Sequence, residues 1–82
     1  MFDWNDLRYF LELHRGGRLL SAAKRLNTTH STVARHIEQI EQHLGAALFS
    51  QHAQGYELTP AGQALLKHAE AMENVALLAQ EE

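Results

Sequence analysis

Apolar side chains recur along this chain at helical spacing, and residues that start or stop helices bracket each recurrence. Leu7, Phe10, Leu11 and His14 follow i, i+3, i+4, i+7, with Leu13 widening the stripe. Asp3 ahead of them is a good N-cap, and Asp6 suits the positive end of a helix dipole. This predicts a first helix from Trp4 or Asn5 to about Arg15, stopped by Gly16-Gly17. A second, short helix is expected over Leu19–Leu26, with Leu19, Ala22, Ala23 and Leu26 on one face and Lys24 and Arg25 pointing away. Asn27-Thr28 reads as a turn, and Thr29 as the N-cap of a third helix, His30 to Leu44, with Gly45 just beyond its end. At about 100° per residue Val33, Ile37, Ile40 and Leu44 share one face of it. Burying four such side chains is worth roughly 6–12 kcal/mol before entropy is counted. Ser31, Arg35, Glu38, Gln39 and Gln42 lie on the opposite face, with Thr32 beside them.

After Gly45 the period changes. ALFSQ and YELT read as two short strands, and HAQG between them as a turn containing Gly55. Leu48, Phe49, Tyr56 and Leu58 would hold this hairpin on the helices. Thr59-Pro60 supplies an N-cap and a first-position proline for a last helix reaching about Gln80. Along it run Ala61, Leu65, Ala69, Met72, Val75, Ala76 and Ala79, with Leu65, Met72 and Ala79 spaced by sevens. So long a helix outruns the small domain it packs on, which makes its second half a candidate dimer seam formed by Leu65, Ala69, Met72, Val75, Ala76 and Ala79. The fold class is therefore mainly α: a winged helix-turn-helix over residues 1–58, with a three-helix core and a β-hairpin wing, and a long linker helix over 59–82.

Composition adds bounds. Eighty-two residues make one small domain whose core alone is marginal, and 45% hydrophobic content suffices to fold it. The absence of cysteine excludes disulfides and thiolate metal sites. No apolar run approaches a membrane span, and FDWND after Met1 is unlike a leader peptide, so a soluble cytoplasmic protein is expected.

Charge changes the picture more. A net charge of −3 argues against a nucleic-acid partner until its distribution is considered. No acid falls between Glu12 and Glu38, an interval that holds Arg15, Arg18, Lys24, Arg25 and Arg35, five of the seven basic residues. A basic region around a short helix, a tight turn and a helix with a polar leading end suits DNA. The N-terminal residues of such a helix meet base edges in the major groove. His30, Ser31 and Thr32 permit close approach, and Arg35, one turn on, reaches a guanine edge or a phosphate. Arg18, Lys24, Arg25 and, at the margin, Arg15 would set register on phosphates. Thr29 with the backbone N–H groups it leads, Gln39, and the wing residues His52 and Gln54 are further positioning candidates. The wing, Gln51 to Tyr56, would lie along the neighbouring minor groove, and its lack of Arg or Lys makes its electrostatic contribution weak.

These features together resemble the N-terminal DNA-binding domain of LysR-type transcriptional regulators. The resemblance runs from Leu7 to about Leu66, through LRYF, SAAKRLNTTHSTVARHIEQIEQHLG, ALF and LTPAG. It implies a bacterial regulator that binds an interrupted palindrome of double-stranded DNA as a homodimer joined through the linker helices. It also implies a further effector-binding domain beyond the linker helix, where a small-molecule effector is expected; none of that domain lies in these residues. Arg18 stands where the family usually has Ser or Thr, His30-Ser31 where it often has Gln-Pro, Ala34 where it has Ser or Thr, and Gln51 where the wing usually begins with Arg. Arg35 matches the family's common basic position.

Other classes fit poorly. His14, His30, His36, His43, His52 and His68 contain no His-x₃-His pair, so neither metal nor cofactor is expected. His30 or His36 beside phosphates would make DNA binding pH-sensitive. No nucleophile–base pair or phosphate loop points to an enzyme. The alternative is a winged helix serving as a protein-interaction module, which would show an exposed apolar patch on the third helix instead of Ser31, Arg35, Gln39 and Gln42.

Overall fold

A computed structural model describes residues 3–81, arranged as four helices and a two-stranded hairpin. Helix α1 spans Trp4–Gly16, α2 Leu19–Leu26, α3 His30–Leu44 and α4 Pro60–Glu81; strands β1 and β2 span Phe49–His52 and Gly55–Leu58. Helix α1 opens with a reciprocal cap: Asp6 N–H donates to Asp3 Oδ1 at 3.1 Å, and Asp3 N–H donates to Asp6 Oδ2 at 3.2 Å. Its buried stripe is Leu7, Phe10, Leu11 and Leu13, whereas His14, expected on that stripe, is exposed. At the edge of a stripe periodicity gives a direction, not a depth, and Leu13 takes the inner place.

The small residues Ala22 and Ala23 are buried between α2 and its neighbours. Thr29 caps α3, its Oγ1 accepting Thr32 N–H at 3.3 Å. Val33, Ile37 and Ile40 enter the core, but Leu44 is 44% exposed, so three of the four expected side chains are buried. The chain reverses at Gly45, and Leu48, 1% exposed, is the buried leucine after the bend. Glu41 Oε2 holds that return by accepting Leu48 N–H at 2.8 Å.

The hairpin pairs antiparallel, Phe49 with Leu58 through His52 with Gly55, leaving Ala53-Gln54 as a two-residue turn. Phe49 carries the hairpin into the core, its ring 5.4 Å from Phe10 and edge-on to Tyr56. The wing is also tied to the α1–α2 turn: Tyr56 N–H donates to Gly17 C=O at 2.7 Å. Gly55 makes that approach possible, since its φ is +131° and a Cβ there would lie 2.3 Å from Gly17 O. Thr59 then joins the wing to α4, donating to Ala47 C=O at 2.6 Å and accepting Gly62 N–H at 3.1 Å. Gly62 lets α4 lie against the entry to β1, where a Cβ would meet Leu48 O at 2.2 Å.

The first half of α4 packs on the core, Ala61, Leu65 and Leu66 half-buried and Ala69 fully buried. Ala69, expected at a dimer seam, is therefore a core residue within this chain. Beyond it Met72, Val75, Leu77 and Leu78 are exposed.

Candidate nucleic-acid interface

Capping by Thr29 and burial of Val33, Ile37 and Ile40 orient α3 so that Ser31, Arg35 and Gln39, four residues apart, follow one exposed edge. His30 is exposed at the tip of the helix. Thr32 is drawn inward: it is half-buried, and its hydroxyl lies 3.0 Å from that of Thr29. Thr29 is thus occupied as a cap, though its side chain remains at the surface.

The basic interval separates into two groups. Arg15 makes a two-pronged contact with Glu73 of α4, at 2.6 and 2.8 Å, and a third bond to Glu12 at 3.2 Å. Arg25 Nε donates to the other oxygen of Glu12. The chain Arg25–Glu12–Arg15–Glu73 therefore ties α2 to α1 and α1 to α4. The hydrogen bond to Glu73 raises the Arg15 pKa, and the same bond holds Glu73 below the usual carboxylate range. Among the described residues Arg18, Lys24 and Arg35 make no ion pair. The positive charge open to an anion thus concentrates at the start of α2, its outer side and the exposed edge of α3.

The two histidines near this face differ. His36 turns into the α1–α3 seam, its Nδ1 2.7 Å from Asp6 Oδ1 and its ring stacked on Tyr9 at 3.9 Å, so its place is structural. His30 instead borders an open groove between the starts of α2 and α3 and the wing, lined also by Arg18, Leu20, Gln51 and His52. On the wing, Gln51, His52 and Gln54 are exposed, and His52 Nε2 lies 3.3 Å from Glu57 Oε2. The hairpin therefore carries a carboxylate and no Lys or Arg. Leu20 is 64% exposed in the groove. It escapes a reading by periodicity because it lies off the apolar stripe of α2, and that displacement is itself the signal that would find it.

Of the other residues expected at a dimer seam, Met72, Val75 and Ala79 are exposed, while Leu65 and Ala76 are half-buried. Trp4, Ala71, Met72, Val75 and Ala76 form an almost wholly apolar shallow surface.

Residues 4–63 match the family described as bacterial regulatory helix-turn-helix protein, lysR family. The chain belongs to the LysR family. It is 43% identical over 70 residues to the HTH-type transcriptional regulator TfdS of Cupriavidus pinatubonensis, covering 85% of this chain and 24% of that protein. It is 42% identical over 80 residues to the HTH-type transcriptional regulator HdfR of Yersinia enterocolitica, covering 98% of this chain and 27% of that protein. The LysR chain thus spans about a quarter of the length of these curated relatives. Its fold superposes on the crystal structure of a CbnR DBD–DNA complex with a TM-score of 0.89 at 30% identity, over 98% of this chain and 92% of that one. The architecture is that of a LysR DNA-binding domain, with a three-helix core, an antiparallel hairpin and a long C-terminal helix.

Proposed function

We propose that this LysR domain reads double-stranded DNA with α3 in the major groove, as part of a bacterial transcriptional regulator. The observation that carries this is the exposed Ser31–Arg35–Gln39 edge, where Arg35 lacks any carboxylate partner among the described residues. A guanidinium held out on a helix edge, next to small polar side chains, suits bidentate recognition of a guanine edge. His30, Ser31 and Arg35 are the base-reading residues, with Thr32 limited by its contact with Thr29. Arg18 and Lys24 hold phosphates; Gln39, His52 and Gln54 lie where they add neutral contacts. Arg25 reaches a phosphate only by leaving Glu12.

Residues 59–82 serve as the linker helix, joining two copies through the part of α4 that leaves the core. Met72, Val75, Ala76 and Ala79 form that seam, and the exposed Leu77 and Leu78 enlarge the apolar surface available to it. The two α3 helices then address an interrupted palindrome. In the whole regulator a separate domain would bind a small effector.

The deciding experiment is fluorescence anisotropy on duplexes selected from a random pool, at several salt concentrations. A selected site with two half-sites, steep salt dependence and loss of discrimination in Arg35→Ala supports the reading. Absence of any selected sequence overturns it in favour of a protein-interaction module.

A further inference from the structure

Leu20 lies at the surface of the groove between α2, α3 and the wing, 64% exposed, while its neighbours have clear places. Leu19 and Leu26 pack against the core, Ala22 and Ala23 are within it, and Lys24 and Arg25 face solvent. Arg18, His30 and His52 border the same groove. An aliphatic side chain in that setting stabilises little in the free protein.

We infer that Leu20 is a specificity-determining residue that packs on the 5-methyl group of a thymine at the edge of each half-site. This rests on the DNA-reading function proposed above. With α3 in the major groove and the wing along the adjacent minor groove, one sugar–phosphate strand must cross the groove between them. Leu20 shares that groove with His30 at the tip of α3 and with Gln51 and His52 of the wing; on this inference it lies on the side of His30, facing the bases that α3 reads. Arg18, two residues earlier and without an ion-pair partner among the described residues, is placed to meet a phosphate of the same strand. An isobutyl side chain gains nothing from a phosphate. The apolar group that a base projects into the major groove is the thymine methyl. A contact with it distinguishes thymine from cytosine, which presents an amino group and no methyl, without any hydrogen bond from the protein.

The test uses the selected duplex with each thymine replaced in turn by deoxyuridine, which removes the methyl and keeps the base-pairing edge. Anisotropy is measured for the wild-type chain, Leu20→Ala and Arg35→Ala, with circular dichroism confirming that each is folded. One thymine per half-site should emerge whose methyl strengthens wild-type binding roughly fourfold, the effect of burying one methyl-sized group. In Leu20→Ala that penalty should vanish, while in Arg35→Ala it should persist. A full deoxyuridine penalty in Leu20→Ala overturns the inference. So does an equal weakening of selected and scrambled duplexes by Leu20→Ala, the mark of a contact to deoxyribose. If no sequence is selected and Arg35→Ala has no effect, the DNA-reading function itself has failed; selective, Arg35-dependent binding without a Leu20-linked thymine sinks this inference alone.

Discussion

At the scale of single residues, the exposed cations separate by expected role. Arg35 on the α3 edge should carry discrimination, so Arg35→Ala should lose about 1–3 kcal/mol between selected and scrambled duplexes. Lys24, on the outer side of α2, should carry affinity alone. Lys24→Ala should weaken all duplexes alike and lower the slope of log affinity against log salt by about 1. Salt titrations of the two variants against both duplexes distinguish the roles, and a uniform loss in Arg35→Ala would move it to the phosphate group. Gly55 offers a stability test. A Cβ at φ +131°, 2.3 Å from Gly17 O, forces the wing away from the α1–α2 turn. Gly→Ala at an unstrained position stabilises by about 0.4–1 kcal/mol, whereas Gly55→Ala should lower the unfolding free energy by more than that, read from urea unfolding. Much at this scale was legible in the sequence, because caps and turns are local chemistry: Asp3, Thr29 and Thr59-Pro60 act where their residue types imply. Partnerships across the fold were not. Nothing in residue order says that Arg25 meets Glu12, that Arg15 meets Glu73, or that His36 turns toward Asp6.

At the scale of elements, one of those distant partnerships, Arg15 with Glu73, joins α4 to the head. Arg15 and Glu73 are about a third exposed or less, at 32% and 27% of their side chains, so the pair should contribute no more than about 1 kcal/mol. Its pH dependence has a definite sign. The bond to Arg15 lowers the Glu73 pKa in the folded state, so its contribution is fully present above the ordinary glutamate range and lost as pH falls through the lowered value. Arg15, raised by the same bond, stays charged throughout. Glu73→Gln should accordingly be less stable than the wild type at pH 7, with the gap closing in acid. Urea unfolding of both proteins across that range checks it, and a gap that persists in acid would assign the effect to packing. Element boundaries followed closely from periodicity and stop signals, but depth did not. His14 and Leu44 each sit on the apolar stripe expected of them and are nonetheless exposed. How far a neighbouring element extends decides whether a stripe position is buried, and that is a property of the assembled fold.

For the molecule as a whole, the proposed function falls to a lightly charged head. The net charge is −3, two of the five clustered cations are paired to acids of their own chain, and the wing carries no Lys or Arg. On the proposed function one head would make few phosphate contacts, and few contacts mean modest affinity. Joining two heads through α4, as proposed, would turn the second half-site encounter into an intramolecular event and raise affinity by orders of magnitude without any new DNA contact. The exposed Met72, Val75, Leu77 and Leu78 at the far end of α4 would then matter to DNA binding as much as the cations on α2 and α3. Val75, 67% exposed, does not line the groove shared by Leu20, His30 and the wing and lies outside the head's core. Val75→Arg should leave folding of the head intact and disrupt pairing by burying a charge in an apolar seam. Sedimentation should show a shift toward monomer at concentrations where the wild type is dimeric. Anisotropy should show affinity for a two-half-site duplex falling by at least about 100-fold, the lower end of the gain that linkage provides, while affinity for a single half-site stays unchanged. Equal loss on both duplexes would place Val75 in the head's own stability, and no loss on either would mean the heads bind independently.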